Sequence, residues 1–184
     1  ETYTITLGDQ AENHVGMQKI GRMSESGFNL DDLEKTRVWF IAHGIDAQIF
    51  CLSTCLDSDE NDAHVLIARK GLSVIVDPDD FYNDQKKLPK DTKAFMYGRV
   101  VNKRARYNLC FDDQSQEPDY ENGKGRIIAY REVPLLEKVL NTVPEIVGDK
   151  GNNLKAEGNY YYDISKCGIG IHGDSERKKV LGIR

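Results

Sequence analysis

No apolar run in the 184 residues approaches the roughly 20 needed to cross a bilayer, and no signal-peptide pattern opens the chain. An intracellular protein, cytoplasmic or nuclear, with no membrane partner is therefore expected. Cation excess is missing too. The 25 Lys and Arg against 30 Asp and Glu leave a net charge of -5, which argues against coating extended nucleic acid by charge alone. Cysteine is sparse. Cys51 and Cys55 lie close together, but no second close pair of Cys or His joins them, so neither a structural zinc site nor a disulfide scaffold is expected. Thiols in a reducing compartment are the default. Glycine forms no phosphate loop, because the stretch from Gly16 to Gly21 lacks the Lys-Ser/Thr ending. No internal repeat, collagen period or low-complexity tract is visible.

What is present suffices for a core. Hydrophobic residues make up 39% of the chain, and clusters such as Val38-Trp39-Phe40-Ile41-Ala42 break up an otherwise polar, charged sequence. Residues 2–7 alternate Thr and Tyr with Ile and Leu and read as a strand ending at Gly8-Asp9. Residues 11–20 read as a short helix. Asn29 is a candidate N-cap for a second helix, with Asp31 and Asp32 in its first turn and Gly44 where a C-terminal glycine belongs. Residues 47–52, 64–69 and 72–76 read as strands, with an acidic loop over 57–62. The polar stretch 84–93, which contains Pro89, reads as a linker. Beyond it come strands over 94–101, 106–111 and 126–130. A helix opened by Pro134 and stopping before Pro144 follows, then a loop over 148–158. Strands over 160–164, 168–172 and 179–183 complete the reading.

The predicted class is α+β: a small N-terminal α/β domain over residues 1–85, of unknown role, followed by a β-rich domain over 86–184. The opening at Glu1 and the apolar close at residues 180–184 read as a fragment of a longer protein.

Two features carry chemistry. Arg99, Lys103, Arg104 and Arg106 form an acid-free stretch, followed at once by Asp112, Asp113, Glu117, Asp119 and Glu121. It reads either as an ordinary solvated surface or as a local strip that contacts phosphate. The second feature is His172-Gly173-Asp174. On an extended segment these two side chains project to one side, which is two-thirds of the facial set of two His and one carboxylate that holds Fe(II). The alternative is a surface His near an Asp.

Asn159-Tyr160-Tyr161-Tyr162 precedes that segment by one strand, and Glu176 follows it. Upstream lie Asn102-Lys103-Arg104-Ala105-Arg106-Tyr107 and the proline-opened helix. In this order the set resembles the AlkB-like family of Fe(II)- and 2-oxoglutarate-dependent dioxygenases, over residues 94–184.

The resemblance implies a partial double-stranded β-helix, or jelly roll, as the fold of the second domain. It implies that His172 and Asp174 are metal ligands and catalytic, and that Asn159 and Tyr161 bind 2-oxoglutarate. Arg104, Arg106, Tyr107 and Glu176 would contact the substrate. The implied activity is oxidative dealkylation of an alkylated or methylated nucleobase, with nucleic acid presented as a single base or single strand and a small-molecule co-substrate. The distal iron-binding His and the carboxylate-binding arginines of the family do not follow Asp174 in this sequence, so the metal triad is incomplete. The competing expectation is a catalytically inactive fragment, or a nucleic-acid- or protein-binding module without metal.

Overall fold

The computed structural model describes residues 1–53, 63–104, 106–163, 165–167 and 173–184. The acidic loop expected over 57–62 and the strand expected over 168–172 lie outside the described residues. In chain order the elements are β1 (Thr2–Gly8), β2 (Gln10–Glu12), β3 (Lys19–Gly21), α1 (Leu30–Ala42), β4 (Ala47–Cys51), β5 (His64–Ala68), α2 (Pro78–Lys87), β6 (Lys93–Met96), β7 (Arg99–Asn102), β8 (Tyr107–Asp112), β9 (Ile127–Ala129), α3 (Pro134–Val147), β10 (Lys155–Tyr161) and β11 (Val180–Ile183).

Period-two alternation builds the main sheet. Ile5 and Leu7 of β1, Leu109 and Phe111 of β8, and Ala156 of β10 share one face and are buried in a single cluster. Asn108, Cys110, Glu157 and Asn159 occupy the other face. The strand order is β11-β1-β10-β8-β9, antiparallel throughout except for the parallel β8–β9 pair. The remaining strands pair as three separate ribbons, β2–β3, β4–β5 and β6–β7. The sheet thus joins residues from both sides of position 85, because β1 lies between β10 and β11.

α3 closes the apolar face. Its Leu136, Val139, Val143 and Ile146 recur at helical spacing and are buried, and all but Ile146 join the same cluster as Phe81 of α2. Burying such side chains is worth about 1.5–3 kcal/mol each against exposure. This packing explains why the helix runs through Pro144 to Val147 although proline normally interrupts a helix. Pro144 falls in the last turns, where the buried Val143 and Ile146 hold the backbone in place.

The jelly-roll expectation is corrected by this arrangement. Among the described residues the sheets are open and none closes into a barrel. The face where a jelly roll would stack a second sheet is covered by α2 and α3. The mixed α+β class stands in a different form, with several small sheets beside three helices.

Local expectations fare unevenly. The Asn29 cap holds: Asp32 N donates to Asn29 Oδ1 at 3.0 Å, and Asn29 N donates back to Asp32 Oδ2 at 2.8 Å. Residues 11–20 form the β2–β3 ribbon instead of a helix, and the strand read over 72–76 is largely a 3-10 turn, Gly71–Val74. The stretch read as a linker begins inside α2.

Candidate functional site

On the sheet face opposite α3 opens a cleft of about 420 Å³. Its floor is a hydrogen-bonded mat of side chains from β8 and β10. Asn108 Nδ2 donates to Glu157 Oε1 at 3.3 Å and to Asn159 Oδ1 at 2.5 Å, and Asn159 Nδ2 donates to Glu157 Oε1 at 3.2 Å. These groups are buried, so each bond replaces one that water would otherwise supply.

Beside the floor stands Asp91, which is fully buried. Its carboxylate accepts from Asn13 Nδ2 at 2.5 Å, Tyr120 Oη at 2.6 Å and the Arg126 backbone N–H at 2.6 Å. Asn13 passes this order on, since Lys103 Nζ donates to Asn13 Oδ1 at 2.6 Å and to Asn108 Oδ1 at 3.0 Å.

Two walls of opposite charge line the cleft. The basic wall comes from the end of β7 and the approach to β8: Lys103, Arg104 and Arg106. Arg106 Nε donates to Asn159 Oδ1 at 2.5 Å, and Arg104 is exposed. None of the three makes an ion pair among the described residues. The acidic wall carries Glu12, Asp174 and Glu176 around Arg177. Arg177 Nη2 donates to Glu157 Oε2 at 2.9 Å and to Glu176 Oε1 at 2.6 Å, and Nε lies 3.4 Å from Asp174 Oδ2.

Burial works against the charge of Arg177, but Glu157 and Glu176 outweigh it and hold the guanidinium more basic than usual. Burial also opposes ionisation of Glu176, and the hydrogen bond from Arg177 prevails, so its carboxyl stays below the ordinary range. Burial raises Glu12 although the Gly16 backbone N–H donates to it at 2.9 Å, and the buried Cys110 thiol is pushed up.

Burial pushes the Lys103 amine down to about 8, against the pull of Asp91. Lys90, sunk between Tyr3 and Tyr160, is likewise pushed down to about 8. Between pH 8 and 10 the unfolded chain, with lysines at the ordinary 10.5, retains protons that the folded chain has released. Stability therefore rises over that window, by about 1–3 kcal/mol. Above pH 10 it falls again, because Tyr160 is raised to about 12, first by burial, and tyrosines ionise sooner in the unfolded chain. Urea midpoints measured from pH 7 to 11 check this, and Lys103→Met should flatten part of the rise, with Lys90 carrying the rest.

Of the residues singled out in the sequence, Arg104, Arg106, Asp174 and Glu176 line this cleft, and Asn159 does not line it but bonds to Arg106, Asn108 and Glu157, which do. Tyr107 lies on the opposite, helix-covered face and stacks on Tyr162 with centroids 4.6 Å apart. It ends a ladder in which Tyr3 stacks on Tyr160 at 4.6 Å and meets Tyr82 edge-on at 5.4 Å. These ring faces are spent on one another rather than left for a base. Tyr161 shares a face with Asn159 but does not line the cleft. His172 lies outside the described residues.

The iron and 2-oxoglutarate expectations are corrected here. Among the described residues no group of three or more His, Cys, Asp or Glu could hold a metal ion. The Asp174 carboxylate lies beside Arg177, and Asn159 is held by Arg106, Asn108 and Glu157. With no metal set and no jelly roll, the AlkB-like resemblance and the dioxygenase activity drawn from it do not stand. Among the described residues no helix is long and apolar enough to cross a membrane.

The chain matches no protein-family model and no solved structure. It is 50% identical over 188 residues to "Uncharacterized protein R156" of Acanthamoeba polyphaga mimivirus, a match that spans 100% of this chain and 74% of that protein.

Proposed function

We propose that this chain, which belongs to the same family as the mimivirus protein R156, is a metal-independent module that binds a nucleotide phosphate in the cleft. The ligand is a free nucleotide or the end of a single strand, and the module acts inside the cell. One observation carries the reading: Lys103, Arg104 and Arg106 stand together on one wall with no carboxylate paired to any of them among the described residues. In a chain of net charge -5, such a local surplus attracts an anion, and arginine forks suit phosphate oxygens. A cleft of about 420 Å³ is within the size range of small-molecule sites. The acidic surroundings and the occupied tyrosine faces argue for one or two phosphates rather than a tracked strand.

Fluorescence anisotropy of a labelled single-stranded oligonucleotide, competed by a free mononucleotide, tests this. Arg104 is exposed and its side chain bonds to nothing among the described residues, so Arg104→Ala leaves the fold intact. It should weaken binding several-fold and flatten the salt dependence by about one phosphate contact. Unchanged affinity and unchanged salt slope in Arg104→Ala would refute the assignment.

A further inference from the structure

Arg104 and Arg106 carry charge that the fold leaves unbalanced. Lys103, the third cation of the basic wall, is provided for internally. Its Nζ donates to Asn13 O at 3.2 Å, Asn13 Oδ1 at 2.6 Å and Asn108 Oδ1 at 3.0 Å, which uses all three ammonium protons. Asn13 in turn donates to the buried Asp91 carboxylate, so a negative charge lies one residue behind the amine.

The arginines differ. Arg106 Nε is spent on Asn159 Oδ1 at 2.5 Å, a bond that fixes the plane of the guanidinium. Asn159 leads on to Glu157, but that carboxylate is taken by Arg177. Nη1 and Nη2 of Arg106 meet no partner among the described residues and, unlike Nη1 of Arg177, neither is sealed from solvent. Arg104 is exposed. Its carbonyl accepts from Tyr162 Oη at 3.0 Å, while its guanidinium bonds to nothing among the described residues.

Two such guanidinium groups on one cleft set a requirement that an internal strand phosphate does not meet. A phosphodiester carries one negative charge and two free oxygens, which a single arginine fork already engages. A phosphate monoester carries about 1.5 to 2 negative charges at pH 7 and three terminal oxygens, so two forks can share it. Glu12, Asp174 and Glu176 line the same cleft and repel the flanking phosphates that a threaded strand would bring. A chain end brings one phosphate only.

Resting on the nucleotide-phosphate reading above, we infer that the cleft takes a terminal phosphate monoester in preference to a phosphodiester, with Arg104 and Arg106 sharing its three oxygens. The ligand is a mononucleotide or the phosphorylated end of a strand.

Titration calorimetry with UMP and with its phosphate O-methyl ester at one ionic strength tests the inference. The two share base and sugar and differ by one ionisable oxygen. UMP should bind about tenfold or more tightly. A like preference for a 5′-phosphorylated over a 5′-hydroxyl oligonucleotide assigns strand ends to the site as well, and its absence removes them as ligands. Arg106→Lys, which keeps the charge and loses the fork, should cut the UMP-to-ester ratio to about threefold or less. If that variant does not fold, Arg104→Lys, at an exposed position, should make the same cut. Equal affinity for UMP and its ester, or a tighter ester, overturns the monoester selection while leaving phosphate binding in place. Failure of both to bind overturns the nucleotide reading itself.

Discussion

Replacing Arg177 by methionine is expected to remove about 3–5 kcal/mol of folding stability, the usual effect of breaking a buried ion pair from one side. The side chains of Arg177 and Glu157 are 5% and 4% exposed. Methionine keeps the apolar stem but leaves Glu157 buried with only the amides of Asn108 and Asn159 for support, and Glu176 nearby. The deficit should shrink as pH falls toward 5, because the stranded carboxylates then take up protons in the folded state and lose their repulsion. Adding Glu157→Gln should recover a large part of the loss, since the charge is removed together with its need for a partner. Urea unfolding at constant slope measures all of this. A loss below about 1 kcal/mol in the single variant would mean that water already reaches the pair.

Asp91→Ala should be comparably severe, about 3–5 kcal/mol, because the buried Asn13 amide and the part-buried Tyr120 hydroxyl and Arg126 N–H lose their acceptor together. Asp91→Asn should recover a large part of this, because Asn13 and Arg126 share one oxygen that the amide keeps, and its N–H can donate to the Tyr120 hydroxyl, which accepts as well as donates. The effect reaches the cleft, since Asn13 holds the Lys103 amine. Nucleotide affinity should therefore fall in the alanine variant even at temperatures where it is folded. Hydrogen exchange at the Arg126 amide is a local gauge, because that N–H donates to Asp91 and its protection should drop first. Retained protection there would show that the aspartate is replaceable by solvent.

How far the sequence discloses this molecule depends on how local each determinant is. The start of α1 is legible because Asn29 and Asp32 cap each other three residues apart. α2 carries equally local signals that a linker reading passes over. Asp77 accepts from the backbone N–H groups of Asp79 and Asp80, Pro78 opens the helix, and Lys86 and Lys87 end it. The helix reading over 11–20 fails because Ala11 and Ile20 are drawn to Cys110 and Ile127, and no window of ten residues contains those partners.

The cleft divides in the same way. Its basic wall is a contiguous run and could be read directly. The alternation that sets Asn108 and Glu157 on one face was also readable, being polar residues at period two among apolar neighbours. Asn13 and Asp91 meet across 78 positions, and nothing near either of them announces the other. The His-x-Asp reading errs for a related reason. Two residues at one spacing specify a direction, and the environment of Asp174 is set by Arg177.

The position of β1 has a consequence for biogenesis. Thr2 pairs with Tyr161, and Ile5 pairs with Ile183, so β1 leaves the ribosome long before the strands that flank it. At about 5–20 residues per second, β1 spends many seconds without either flank, and the sheet forms through closures of very long range, which slow folding. During that interval its Ile5 and Leu7 are open to capture. A nascent chain of this kind should depend on a holding chaperone over β1 more than one whose neighbouring strands pair with each other.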